Sequence, residues 1–237
     1  MMARRGVLGV LAGGAAMLLS GCDVNSPTMG WIWEEPYYPK LKVEVETPEG
    51  IKTGYSVIEV KWNKAGRGFN VRGEAVAVDL PKDQTLFVLL RSPSNVDWAA
   101  RLHDNIDRNA LVAGDNYYLS IAGNRSVWPV RRTKEYFGNK ELHDNYPYFV
   151  RFKDIKDPKT VERVDPDDLS KSFGPGYRLR SITVQMTDQA VTVGLEKRLD
   201  WLTRHSGMLD NTGDPNKLHD AVERNLTKRS FIQGYSK

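Results

Sequence analysis

The chain has 237 residues, 40% of them apolar and 27% charged, a balance that excludes a polytopic membrane protein and a disordered tail. A single cysteine excludes an internal disulfide, and the formal charge of +4 is unevenly spread. The N-terminus opens with Arg4 and Arg5, continues with an uncharged stretch from Gly6 to Leu19, and closes on Leu19-Ser20-Gly21-Cys22. The uncharged stretch is 14 residues long. A helix that crosses the hydrocarbon core needs roughly 20 residues. This length and order of regions predict a secretory signal instead.

The closing tetrapeptide resembles the lipobox of bacterial lipoproteins, in which a branched residue and two small ones precede the cysteine. The resemblance covers less than a tenth of the chain. It implies that the Cys22 thiol receives a diacylglycerol, that residues 1–21 are removed, and that Cys22 becomes the first mature residue, with a terminal amine open to acylation. One acyl chain holds a protein only marginally, whereas two or three hold it stably. Arg4-Arg5 suits the positive end of an ordinary signal. Ala3-Arg4-Arg5-Gly6-Val7-Leu8 also resembles a twin-arginine export motif, with Ala3 where Ser or Thr is usual. Asp23 resembles an inner-membrane retention signal, although the outer membrane stays open. The expected location is the periplasmic side of the cell membrane. Losing Arg4 and Arg5 takes the formal charge from +4 to +2, so the mature chain is nearly neutral and nucleic acid is not an expected partner.

Residues 22–39 read as a lipidated terminus and tether, because Pro27, Pro36 and Pro39 interrupt regular structure. Its aromatics Trp31, Trp33, Tyr37 and Tyr38 suit either the headgroup layer or packing on the domain as a first strand, the latter favoured. From residue 40 to 237 we expect one α+β domain, with room for a division into two lobes. Leu41, Val43 and Val45 alternate with Lys42, Glu44 and Glu46, which predicts a half-buried strand, and Thr47-Pro48-Glu49-Gly50 predicts a turn. Strands are expected at 55–62 and 71–80, the latter with Glu74, Val76, Val78 and Leu80 on one side. The run Leu86-Phe87-Val88-Leu89-Leu90 is apolar on both faces and predicts a central strand. Residues 41–90 therefore read as an antiparallel β-meander core. A helix is expected over 95–109, a strand over 117–122, an exposed basic loop over 123–146, and a strand at 148–152. Asp157-Pro158 and Asp165-Pro166 each predict a helix cap, the second opening a helix that ends at Gly174. A strand over 178–186 and helices through Val191–Leu202 and from Asp214, packed on the sheet, complete the chain. The segment 157–202 is similar to small proteobacterial lipoproteins, a group that implies no activity.

Nucleophile, phosphate-loop and zinc motifs are missing, and no thiol remains once Cys22 is lipidated. His103, His143 and His219 each precede an aspartate (Asp104, Asp144, Asp220). Adjacent side chains diverge on strands and helices, so these pairs are poor shared metal ligands. Neither they nor His205 has a partner at a telling spacing, so none is expected to be indispensable. Asp154, Asp157, Asp165, Asp167 and Asp168 fall within fifteen residues, a composition compatible with calcium. Ser170 stands where an EF-hand requires glycine, and helix capping explains two of the five. Arg125, Arg131, Arg132 and Lys134 surround Trp128 and could meet anionic lipid heads or cell-wall polymers. Lys217, Arg224, Lys228 and Arg229 lie opposite the apolar stripe of the last predicted helix. No catalytic, metal or cofactor residue is assigned. The expected function is a lipid-anchored envelope protein that binds or supports rather than catalyses, with the membrane as partner through Cys22 and an envelope protein or cell-wall partner beside it. The alternative is an envelope hydrolase with an unrecognised His/Asp or carboxylate site. A deep cleft with convergent His, Asp or Glu would favour the enzyme; a shallow basic or aromatic face would favour binding.

Overall fold

The computed structural model describes residues 36–63, 68–105, 127–132, 134–137, 141–204 and 226–234. They form mostly antiparallel sheets with a few short helices. β1 (Pro39–Thr47) and β2 (Gly50–Val57) make the first hairpin. Its turn is closed by Gly50 at φ +106° and by the Thr47 hydroxyl, which donates to the Gly50 carbonyl at 2.7 Å. Leu41, Val43 and Val45 are fully buried, as the alternation requires. On the other side of β1, the strand expected at 178–186 (Arg178–Met186, β12 in chain order) adds Ile182, Val184 and Met186 to the same core. A short strand, β7 (Val127–Pro129), completes the first sheet in the order β2-β1-β12-β7.

The two long strands expected at 55–62 and 71–80 are each broken once. Ile58 separates β2 from β3 (Glu59–Asn63), and Ala75 separates β4 (Gly68–Glu74) from β5 (Val76–Leu80). Every hairpin is antiparallel, including β5 with β6 (Gln84–Val88), but successive hairpins lie in different sheets. β4 and β3 join β13 (Ile232–Gln233), while β6 and β5 join β10 (Phe149–Phe152) and β11 (Val161–Arg163). Both corner residues are buried apolar side chains, so each bend carries the chain from one sheet to the next without exposing core. The crossing of β2 over β5 is tight. A Cβ on Gly54 would lie 2.2 Å from the Ala77 carbonyl oxygen, a gap only glycine fits.

β6 lies between β10 and β5, the interior place its sequence predicts. Leu86, Val88 and Leu90 join the core shared with β1 and β12. Phe87 and Leu89 face a second cluster with Val150, Leu199, Trp201 and Phe231.

Other expectations are corrected. Residues 123–146, read as an exposed loop, contain β7 and a hairpin of β8 (Lys134–Phe137) and β9 (Glu141–Asp144). Short apolar alternations lie hidden among the Arg and Lys of that stretch, and Pro129 is tolerated because β7 is an edge strand. The helix expected over 95–109 is a 3₁₀ helix, Trp98–Asn105, kinked at Arg101 (φ −108°, ψ 24°). Asp165-Pro166 opens only a turn, and the helix itself is Ser170–Phe173, stopped by Gly174 at φ +104°. The helix through Val191–Leu202 reduces to two single turns, Leu195–Arg198 and Trp201–Arg204. Gly194 at φ +130° precedes the first, and Leu199 (φ −114°, ψ 74°) separates them. The strand expected at 117–122 and nearly all of the helix expected from Asp214 lie outside the described residues. Among the described residues, no helix is long and apolar enough to cross a membrane.

Candidate functional site

A basic, aromatic face forms at one end of the β6–β10–β11 ladder. Leu89 N donates to the Tyr148 carbonyl and Tyr148 N to the Arg91 carbonyl, both at 2.9 Å, while Val164 N donates to the Phe149 carbonyl at 2.8 Å. This backbone lattice sets Arg91, Tyr148 and Arg163 side by side. The Arg91 and Arg163 guanidinium carbons lie 5.9 and 5.8 Å from the Tyr148 ring centroid, and that of Arg132 lies 4.9 Å from the Tyr146 ring. Each such contact contributes about 0.5–1 kcal/mol at an exposed position. Burial holds the Tyr148 hydroxyl above its ordinary pKa, against the pull of Arg91 and Arg163, so at neutral pH it is a hydrogen-bond donor. A cleft of only about 10 Å³, room for about one water, opens beside Pro93, Tyr146, Tyr148, Arg163 and Pro166. Arg132 is held by the Asp167 carboxylate.

Three of the aspartates of 154–168 are spent on their own turns. Asp154 Oδ1 accepts from Lys156 N, Asp157 Oδ1 from Lys159 N and Asp165 Oδ1 from Asp167 N, each at 2.9 Å. Asp157 caps the 3₁₀ turn Pro158–Thr160, with proline in its first turn as expected. Asp168 is held below the ordinary carboxylate range, first by the Ser170 hydroxyl and then by Lys171. This is the signature of Asx turns and caps. Among the described residues, no group of three or more His, Cys, Asp or Glu is placed to hold a metal ion.

A second feature lies where the tether enters the fold. Tyr37 and Val60 exchange both backbone hydrogen bonds at 3.0 Å, and the Tyr37 hydroxyl donates to the Ala100 carbonyl at 3.2 Å. Of the two readings of the tether aromatics, Tyr37 and Tyr38 follow the one in which they pack on the domain; Trp31 and Trp33 lie outside the described residues. An open groove of about 470 Å³ runs past Tyr37, Tyr38, Arg72, Thr187 and Val191. Its floor is tied together, because Glu59 accepts from Arg72 at 2.7 Å and from Tyr38 at 3.4 Å.

Cys22, His205, His219, Asp220, Arg125, Lys217 and Arg224 lie outside the described residues. His103 and Asp104 fall on the 3₁₀ helix and His143 and Asp144 on β9, at separate places in the fold. Arg131 and Arg132 are exposed just after β7, whose Trp128 pairs with Val184. Lys134 opens β8, and Lys228 and Arg229 belong to the single turn Lys228–Phe231. Sequence reasoning missed Arg91 and Arg163, which lie far apart in the chain and meet only through the sheet ladder. No protein-family model, curated protein or solved structure matches the chain.

Proposed function

We propose that the protein is a lipid-anchored component of the bacterial cell envelope. Its signal, residues 1–21, directs export, and acylated Cys22 holds it on the periplasmic side of the cell membrane, with Asp23 favouring the inner one. The observation that carries this reading is Leu19-Ser20-Gly21-Cys22: the chain's one cysteine stands at the one position where lipoprotein chemistry uses a thiol, after a stretch too short to span. Among the described residues, the first tied into the sheets is Tyr37.

The role at the membrane is binding or support. Support comes from Asp154, Asp157 and Asp165, which cap their own backbone, and from the arginine–tyrosine face at one end of the β6–β10–β11 ladder. We also infer that the C-terminal helices pack on the second sheet. Leu199, Trp201, Leu202, Leu226 and Phe231 already share one apolar cluster with Phe87 and Val150.

Replacing Cys22 by serine tests the anchor. The variant should lose incorporated fatty acid and move from the membrane to the soluble periplasmic fraction. Retention of Cys22→Ser in membranes after a high-salt wash would overturn the reading.

A further inference from the structure

We propose that the grooves on either side of the strap 187–191 bind a neutral saccharide, an oligomer of an N-acetylated amino sugar. The inference names a ligand class for the binding role proposed above and rests on that role, but not on the anchor. The strap is pinned at both ends. Thr187 N donates to the Tyr38 carbonyl and Thr192 N to the Val57 carbonyl, both at 3.0 Å. Between the pins Asp188, Gln189 and Ala190 are exposed. On one side lies the groove of about 470 Å³ beside Tyr38 and Arg72, and on the other an open groove of about 380 Å³ reaches Lys40. Met186 to Gln189 line both, so the two adjoin. Each is within the roughly 300–1,000 Å³ of small-molecule sites.

An extended peptide binds by pairing its main chain with an open strand edge. Here the main chain is already engaged: Tyr37 and Val60 exchange both bonds, Ile58 N donates to the Pro39 carbonyl, and the strap uses its ends. Side chains therefore meet the ligand. The charges about the two grooves cancel, Lys40 and Arg72 against Glu59 and Asp188, and Arg72 donates to Glu59 at 2.7 Å. No net charge selects an ion. The unused polar capacity is in donors. Lys40 Nζ donates to Gln189 Oε1 at 3.1 Å, which leaves the Gln189 N–H₂ without a partner among the described residues. Arg72 spends one terminal nitrogen on Glu59 and makes no other hydrogen bond. The Thr187 hydroxyl accepts from Gln189 N at 3.2 Å and keeps its own proton to donate. An acetamido carbonyl is an acceptor with two lone pairs, and its methyl suits Ala190 and Val191. Tyr38 offers a sugar ring both an apolar face and a polar tip.

The test uses the full chain with Cys22→Ser in mild detergent. Its outcome does not depend on lipidation, and a failure here leaves the membrane reading to its own test. Chitotetraose, the tetramer of N-acetylglucosamine, titrated calorimetrically, should bind saturably with a Kd on the order of 1 mM. Cellotetraose, with a hydroxyl in place of each acetamido group, should bind about fivefold more weakly. Gln189→Glu keeps the size of an exposed side chain and removes both N–H donors. It and Arg72→Gln, each shown to keep the wild-type melting temperature, should weaken binding about three- to tenfold, the factor for one lost hydrogen bond. Absence of saturable binding, cellotetraose binding as tight as chitotetraose, or undiminished binding by either variant would overturn the proposal. So would tighter binding of an uncharged, end-blocked alanine tetrapeptide, which would assign the grooves to a polypeptide.

Discussion

Glu74 is a carboxylate placed among core residues, 4% exposed at the end of β4. Its two oxygens accept from Gly194 N at 2.9 Å and Leu195 N at 3.0 Å, and its own carbonyl accepts from the Ser56 hydroxyl at 2.6 Å. One residue thus ties the sheet corner to the chain that begins the first C-terminal turn. Burial raises its pKa above the ordinary 4.5, against those two backbone hydrogen bonds. The folded state therefore holds this proton more tightly than the unfolded chain. The linked stability is present below about pH 4.5 and is lost as pH rises through the folded value. Glu74→Gln keeps the shape but turns an amide N–H₂ toward one of the two backbone donors, at a cost of about 1–3 kcal/mol. In urea titrations the advantage of wild type over this variant should be larger at pH 4 than at pH 7. An advantage that grows with pH would contradict this account. Half of this arrangement was legible in the sequence, since alternation places Glu74 on the face of Val76, Val78 and Leu80. Its partners, 120 residues away, carry no local signal.

At the scale of elements, the strands were far more legible than the helices. β1 and β12 alternate strictly, and β6 is apolar on both faces, so period and burial agree. The helices fail for two physical reasons. Gly194 and the non-helical Leu199 interrupt a stripe that looks continuous in sequence, and packing rather than propensity holds each remaining turn. That packing is aromatic. The Trp201 ring meets Phe152 at 5.5 Å and Phe231 at 5.7 Å, Phe87 meets Phe152 at 5.6 Å, and the Trp201 indole donates to the Ile155 carbonyl at 3.1 Å. Trp201→Ala should cost about 3–5 kcal/mol of stability, read as a lowered urea midpoint with a cooperative transition retained. A loss below about 1 kcal/mol, the range of surface substitutions, would show that the C-terminal turns do not belong to the second core.

Across the whole molecule, chemistry is divided by position in the chain. The proposed anchor rests on a short linear pattern, Cys22 with its preceding residues, which a sequence displays directly. The arginine–tyrosine face was not legible, because its members come from three strands or their flanks and converge only when β6, β10 and β11 pair. Its charges also do not stand out in a chain whose formal charge is only +4. The central claim, that this domain is delivered to a membrane by its N-terminus, is tested most directly by mass spectrometry of the N-terminal peptide of protein purified from membranes of a bacterium expressing it. The account predicts a peptide that begins at Cys22, lacks residues 1–21 and carries a diacylglyceryl group on the sulfur. A peptide that begins elsewhere, or one with an unmodified Cys22 thiol, would contradict it.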